Sequence, residues 1–197
     1  DFFKHYKLDN RPIIALLPGS RTQEIKKLLE EMLKVVPQFS DYQFVIAGAP
    51  SLPFSFYEPF LKSSDVKFIS NDTYNLLQNS KAAIVTSGTA TLETALFKIP
   101  QVVVYKANEI SYQIAKRIIT LKYISLVNLI MDEEIIKELI QRECNAKSIA
   151  IELNNILNQP FRDTMLNKYD ELNLKLGGGG ASDKVIFELK SNLMLNK

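Results

Sequence analysis

The sequence predicts an α/β protein with a doubly wound, six-stranded parallel sheet and a helical C-terminal extension. Three observations predict this fold. Short apolar runs recur along the chain, segments with helical apolar spacing separate them, and two of the runs end in turns of small residues. Strands that are apolar throughout are typical of parallel sheets covered by helices on both faces. Six strands fit two βαβαβ halves.

The predicted strands are short runs of mainly apolar and β-branched residues. Five clear runs and a weaker sixth lie at 13–17, 43–47, 66–69, 82–85, 101–105 and 123–126. In a doubly wound sheet the usual strand order is 3-2-1-4-5-6, so the first and fourth strands are neighbours. Ligands bind at the carboxyl ends of that pair.

Helical spacing predicts the segments between and after the strands. The predicted helices lie at 24–36, 71–79, 89–97, 110–119, 133–141, 146–157 and 160–176. Residues 177–180 are four glycines, which we interpret as a hinge because glycine holds a fixed backbone only at a high entropic cost. Residues 181–197 are expected to form one more amphipathic helix, with Ser182 as its N-cap.

The composition narrows the classes of function. A net charge of +2 and a pI near 8.5 are too mild to indicate a nucleic-acid partner. The single Cys144 rules out an internal disulfide, and no apolar run reaches the roughly 18 residues of a membrane span. We therefore expect a protein of a reducing compartment. Residues 1–10, which hold the only histidine, His5, are interpreted as a linker from a preceding domain.

Two stretches carry the candidate chemistry. Leu17-Pro18-Gly19-Ser20-Arg21 follows the first predicted strand, and Ser87-Gly88-Thr89-Ala90-Thr91-Leu92-Glu93 follows the fourth. Each stretch predicts a strand, a turn of small residues and the N-terminus of a helix, which together aim unpaired N–H groups at an anion. Because the topology brings both turns to one edge of the sheet, they predict a single diphosphate ligand.

Individual side chains in these turns suggest separate roles. The planar guanidinium of Arg21 suits phosphate oxygens, although a solvated surface arginine is the alternative. Glu24 is interpreted as a capping residue. Glu93 can accept hydrogen bonds from both hydroxyls of a ribose, or it can simply complement the helix dipole. The remaining candidate ligands are the small and hydroxyl-bearing residues of the turns: Gly19, Ser20, Ser87, Gly88, Thr89, Ala90 and Thr91.

The absence of two motifs argues against nicotinamide-dependent and metal-dependent chemistry. No Gly-x-Gly-x-x-Gly follows the first strand, which disfavours a nicotinamide-dependent enzyme. There is no Asp-x-Asp, and Asp132-Glu133-Glu134 is typical of a helix N-terminus rather than of a metal site. The sequence nominates no general base.

Four stretches of the sequence resemble those of a known family: the two turns and two further stretches at 100–106 and 123–129. Together the four stretches resemble those of lipid-A-disaccharide synthases, two-domain glycosyltransferases of the GT-B class, and the likeness covers nearly the whole chain. Val127 departs from the proline usual in that family. The resemblance implies a Rossmann-like C-terminal lobe at 11–176 that binds a UDP-sugar, with 181–197 crossing back to the other lobe.

The resemblance also implies a reaction. A 2,3-diacylglucosamine unit would pass from its UDP derivative to 2,3-diacylglucosamine 1-phosphate, with inversion to a β-1,6 link and release of UDP. Arg21 and Asn128 would be catalytic, Asn128 would also contact the UDP-sugar, and neither a metal nor another cofactor is expected. The general base would lie on the other lobe, so the chain alone is expected to be inactive.

The lipid substrates imply a cytoplasmic enzyme at the inner face of the inner membrane of a Gram-negative bacterium. Residues 110–131 have a composition suited to a membrane interface, with ordinary core packing as the alternative. A homodimer through the last helix is a further expectation. Two alternatives stay open: another UDP-sugar GT-B enzyme, either an epimerase or the peptidoglycan N-acetylglucosaminyltransferase, and a nucleotide-binding module without activity of its own.

Overall fold

Six parallel strands form the centre of the structure, a computed structural model that describes residues 2–62, 64–108 and 122–177. In chain order the strands are β1 (Ile13–Leu17), β2 (Gln43–Gly48), β3 (Lys67–Ser70), β4 (Ser80–Thr86), β5 (Gln101–Tyr105) and β6 (Glu138–Ile140). Their order across the sheet is β3-β2-β1-β4-β5-β6. The predicted α/β class and strand order are therefore confirmed.

Helices pack on both faces of this sheet. The described helices are α1 (Phe2–His5), α2 (Thr22–Leu33), α3 (Phe54–Leu61), α4 (Thr73–Gln78), α5 (Thr89–Leu96), α6 (Leu126–Met131), α7 (Ala146–Leu157) and α8 (Gln159–Lys175), with a 3-10 turn at Val36–Gln38. Alternate residues of β1 face opposite layers: Ile14 and Leu16 join the larger core with α2, α7 and α8, and Ile13 and Ala15 join the smaller core with α4.

The last strand differs from the prediction. The expected strand at 123–126 is wrong, because Ser125 is the N-cap of α6 and its side chain accepts a hydrogen bond from the Asn128 N–H. The expected helix at 133–141 is also wrong, since Glu138, Leu139 and Ile140 pair in parallel with β5. Pairing with this short edge strand gives backbone groups of β5 their hydrogen-bond partners, and this gain outweighs the helical spacing of the apolar residues at 133–141.

The first residues pack on the domain. Phe2, Phe3 and Tyr6 lie against the smaller core, and the Tyr6 hydroxyl donates to Asp72 at 2.7 Å. The stretch at 2–8 is thus packed against the sheet layer, while the link of residues 1–10 to a preceding domain stays a prediction. The predicted helices at 110–119 and 181–197, and the glycine hinge beyond Gly177, lie outside the described residues. No helix in the described part of the chain is long and apolar enough to cross a membrane.

Candidate functional site

A crevice of about 450 Å³ opens at the carboxyl ends of β1, β2 and β4. Its lining comes from the two predicted turns, from the end of β2 with the residues after it, and from the start of α4. The lining residues are Leu17, Gly19, Ser20, Arg21, Glu24, Ala47, Gly48, Ala49, Pro50, Thr73, Thr86, Ser87, Gly88, Thr89, Ala90 and Glu93. The structure therefore brings the two turns together at the point that the topology predicts.

Gly19 allows the first turn to approach the second. Its φ of +97° lies in the left-handed region, where a side chain is strained. A Cβ atom at this position would lie 2.8 Å from Thr86 Cγ2, at the end of β4. The absence of a side chain at Gly19 thus lets the ends of β1 and β4 close on each other at the base of the crevice.

The N-termini of α2 and α5 both open onto the crevice. Arg21 is the N-cap of α2, and Gly88, with a φ of +148°, is the N-cap of α5. The first N–H groups of a helix have no partner within that helix, and they carry the positive end of its dipole. Two such ends at one crevice favour a ligand with more than one negative charge.

Arg21 adds a mobile positive charge at the rim. Its side chain is 79% exposed, and Nη1 donates to Glu24 Oε1 at 3.1 Å. This hydrogen bond raises the pKa of the guanidinium, which stays protonated at every physiological pH. Because an exposed ion pair contributes little to stability, Arg21 can exchange Glu24 for a phosphate at small cost.

Glu93 is held by a residue that the sequence analysis missed. The Tyr74 hydroxyl donates to Glu93 Oε1 at 3.3 Å, and the Tyr74 ring stacks on Phe97 with the ring centroids 5.5 Å apart. Burial raises the pKa of Tyr74, and the nearby Glu93 charge raises it further, so the hydroxyl remains a donor. Tyr74 thereby orients the carboxylate at the mouth of the crevice.

Thr91 does not line the crevice, so the structure gives no support to the prediction that its hydroxyl meets a phosphate. Its side chain is fully buried, and Oγ1 donates to the Gly88 carbonyl at 2.7 Å. The helical rotation from Thr89 to Thr91 turns this position towards the core. The hydroxyl stabilises the first turn of α5 instead.

Asn128 is likewise remote from the lining residues. It is fully buried, and its Nδ2 donates to the Ile136 carbonyl at 2.8 Å and to Glu138 Oε1 at 2.9 Å. Its Oδ1 accepts from the N–H groups of Ile135 and Ile136 at 2.9 and 3.0 Å. Both donors and the acceptor oxygen of the amide are used inside the protein, so the geometry does not support the predicted contact with substrate.

A third wall of the crevice was also missed. It is formed by the end of β2 and the start of α4, with Ala47, Gly48, Ala49, Pro50 and Thr73. The small residues at 47–50, which span the last two residues of β2 and the two after it, are the same signal as the two recognised turns. Within the described ranges, no group of three or more His, Cys, Asp or Glu side chains is placed to hold a metal ion.

Comparison with known proteins gives consistent results. A family model described as lipid-A-disaccharide synthetase matches residues 3–176. A lipid-A-disaccharide synthase of Coxiella burnetii (strain Dugway 5J108-111) is 37% identical over 188 residues, which are 92% of this chain and 50% of that protein. The same enzyme of Geobacter sulfurreducens is 35% identical over 182 residues, 89% of this chain and 47% of that protein.

The fold is shared with more distant proteins. The UDP co-structure of MnaA from S. aureus superposes with a TM-score of 0.58 at 14% identity, covering 99% of this chain and 49% of that one. At such identity the likeness shows the fold alone, here that of a GT-B lobe. The chain spans about half the length of the curated relatives that it matches. On the evidence of sequence and fold together, it belongs to the lipid-A-disaccharide synthase family.

Proposed function

We propose that this chain is the nucleotide-sugar-binding half of a lipid-A-disaccharide synthase, and that its crevice takes up the UDP group of the donor. The convergence of the α2 and α5 N-termini at the carboxyl ends of β1 and β4 carries this proposal. The backbone of Gly19 and Ser20 faces one phosphate, that of Gly88 to Ala90 faces the other, and Glu93 accepts the ribose hydroxyls.

In this proposal, Arg21 is the residue that acts on the leaving group. As the glycosidic bond breaks, negative charge grows on the diphosphate, and the guanidinium with two helix ends stabilises it. The donor would be UDP-2,3-diacylglucosamine and the acceptor 2,3-diacylglucosamine 1-phosphate, giving a β-1,6-linked disaccharide and UDP. We place the enzyme in the cytoplasm. Because the donor and the acceptor are both lipids, we place it at the inner face of the inner membrane.

Calorimetric titration of the chain with UDP, ATP and NAD tests the binding step. We expect UDP to bind and the other two nucleotides to bind at least tenfold more weakly. Hydrogen exchange should locate the UDP, with protection at 19–24 and 87–93. Protection on another face of the sheet would contradict the proposed placement, and the absence of UDP binding would refute the proposed function.

Replacing Arg21 by Ala should weaken UDP binding by about 1.5–3 kcal/mol, the range for a hydrogen bond to a charged group. Thermal stability should hardly change, because the Arg21–Glu24 pair is exposed. Arg142→Ala is the matched control, since Arg142 is exposed and does not line the crevice. Equal dissociation constants for the Arg21 variant and the native chain at low salt would remove Arg21 from the site.

Replacing Glu93 by Gln should reduce the preference for UDP over dUDP. A carboxylate accepts hydrogen bonds from both ribose hydroxyls, whereas an amide has a single acceptor oxygen. Tyr74→Phe should reduce the same preference by a smaller factor, because it frees the carboxylate without removing it. Parallel titrations of each variant with UDP and dUDP measure the ratio. An equal loss for both nucleotides would assign Glu93 a purely structural role.

A further inference from the structure

A buried carboxylate lies behind the second anion-binding turn. Glu138, the first residue of β6, is 7% exposed. Its Oε2 accepts from the Ile124 N–H at 2.8 Å, and its Oε1 accepts from the Ser125 N–H at 2.9 Å. Oε1 also accepts from the Ser125 hydroxyl at 2.7 Å and from Asn128 Nδ2 at 2.9 Å. The three donors from Ser125 and Asn128 are buried and would be unsatisfied without this carboxylate, so Glu138 fixes the backbone at 124–125.

The backbone that Glu138 fixes touches the turn itself. The Ile124 carbonyl accepts from the Ser87 hydroxyl at 2.8 Å. The Ser87 N–H donates to the Val104 carbonyl at 3.1 Å, so Ser87 is held from two sides. Ser87 immediately precedes Gly88, the N-cap of α5. The Ile124 carbonyl therefore holds the residue directly before the start of α5.

We infer that Glu138 is a positioning residue for the nucleotide: through Ile124 and Ser87 it holds the N-terminus of α5 in the orientation that receives a phosphate. This inference rests on the proposed function. It also gives Asn128 a role that fits its burial, because the amide ties Glu138 to the backbone at 135–136. Neither residue touches the nucleotide in this arrangement.

A double-mutant cycle tests the connection. In Glu138→Gln the side chain has a single acceptor oxygen, and its NH₂ group faces a backbone or side-chain donor. Ser87→Ala removes the hydrogen bond to Ile124. We expect each single variant to raise the dissociation constant of UDP about fivefold to tenfold. The double variant should bind UDP no more weakly than whichever single variant binds it more weakly, because both substitutions break the same connection. Additive losses, or an unchanged constant in Glu138→Gln, would overturn the inference.

Controls separate positioning from general instability. Ile149→Val shortens a buried side chain of α7 that takes no part in these hydrogen bonds, and it should lower thermal stability without changing the dissociation constant. If Glu138→Gln does not fold, Ser125→Ala removes one donor of the same carboxylate and takes its place in the cycle.

Hydrogen exchange without nucleotide tests the link independently of UDP. The Ser87 and Thr91 N–H groups donate to the Val104 and Gly88 carbonyls, so their exchange reports the order of the turn. Faster exchange of these two amides is expected in Glu138→Gln relative to Ile149→Val, and unchanged exchange at both would contradict the inference. If the native chain failed to bind UDP, the proposed function would fall, while this exchange result would still report whether Glu138 holds the turn.

Discussion

Replacing Gly19 by Ala is expected to lower the free energy of unfolding by about 2–4 kcal/mol and to reduce UDP binding below detection. Two costs add: the positive φ of +97° strains any side chain, and the new Cβ would lie 2.8 Å from Thr86 Cγ2. To relieve the contact, the ends of β1 and β4 must separate, which opens the base of the crevice. Denaturant unfolding and calorimetric titration measure the two effects.

Gly88 provides a matched control for this prediction. Its φ of +148° is also positive, but a Cβ there meets nothing within 4 Å. Gly88→Ala should therefore carry the strain without the collision and cost about 1–2 kcal/mol. Adding Thr86→Ser to Gly19→Ala removes the colliding methyl group and should restore part of the stability. Equal losses at the two glycines would show that packing against Thr86 is unimportant.

The chain alone is expected to bind UDP and to transfer no sugar. Among the lining residues, the ionisable groups are Arg21, Glu24 and Glu93, and each already has a partner suited to binding. The acceptor hydroxyl needs a base and a surface that aligns it with the donor, and the chain spans about half the length of its relatives. Loss of alignment and of a base together leaves turnover at the uncatalysed rate.

Product analysis with radiolabelled donor and acceptor checks this expectation. The full-length Coxiella burnetii relative, assayed under the same conditions, is the positive control. Disaccharide formed by the chain itself would contradict the two-lobe account. Transfer restored by adding the half of that relative which the chain does not match would support it, because a base and an acceptor surface would then come from that half.

Strands β1 to β5 and both turns could be predicted from local sequence. Apolar runs such as Ile13–Leu17 are buried along their whole length, so every residue in the run is apolar and the strand can be recognised from the run itself. The edge strand β6 could not be predicted in this way. It has three residues, and its first is Glu138, whose carboxylate is satisfied by groups 10 to 14 residues earlier in the chain.

The roles of side chains in the site were harder to predict than its position. Topology alone places Ser20 and Gly88 at one crevice, because neighbouring strands must end at the same edge. Whether a polar side chain faces the ligand or the interior depends on its position around the helix, where each residue is turned by about 100° from the last, and on distant partners. Thr91 turns inward to Gly88, and Asn128 is bonded at both ends of its amide, and neither outcome has a local signature.

The pairing of β1 with β4 joins parts of the chain that are far apart in sequence, such as Leu16 and Ile84. The crevice therefore exists only after both halves have folded and this central seam has closed, and contacts of such long range form slowly. A nucleotide bound as proposed contacts the turns after β1 and β4 and so stabilises the pairing of these two strands. At a concentration one hundred times its dissociation constant, UDP should add about 2.7 kcal/mol to the stability of the whole domain. Under the proposed function, the concentration of the nucleotide would accordingly shift the folding equilibrium of this domain towards the folded state.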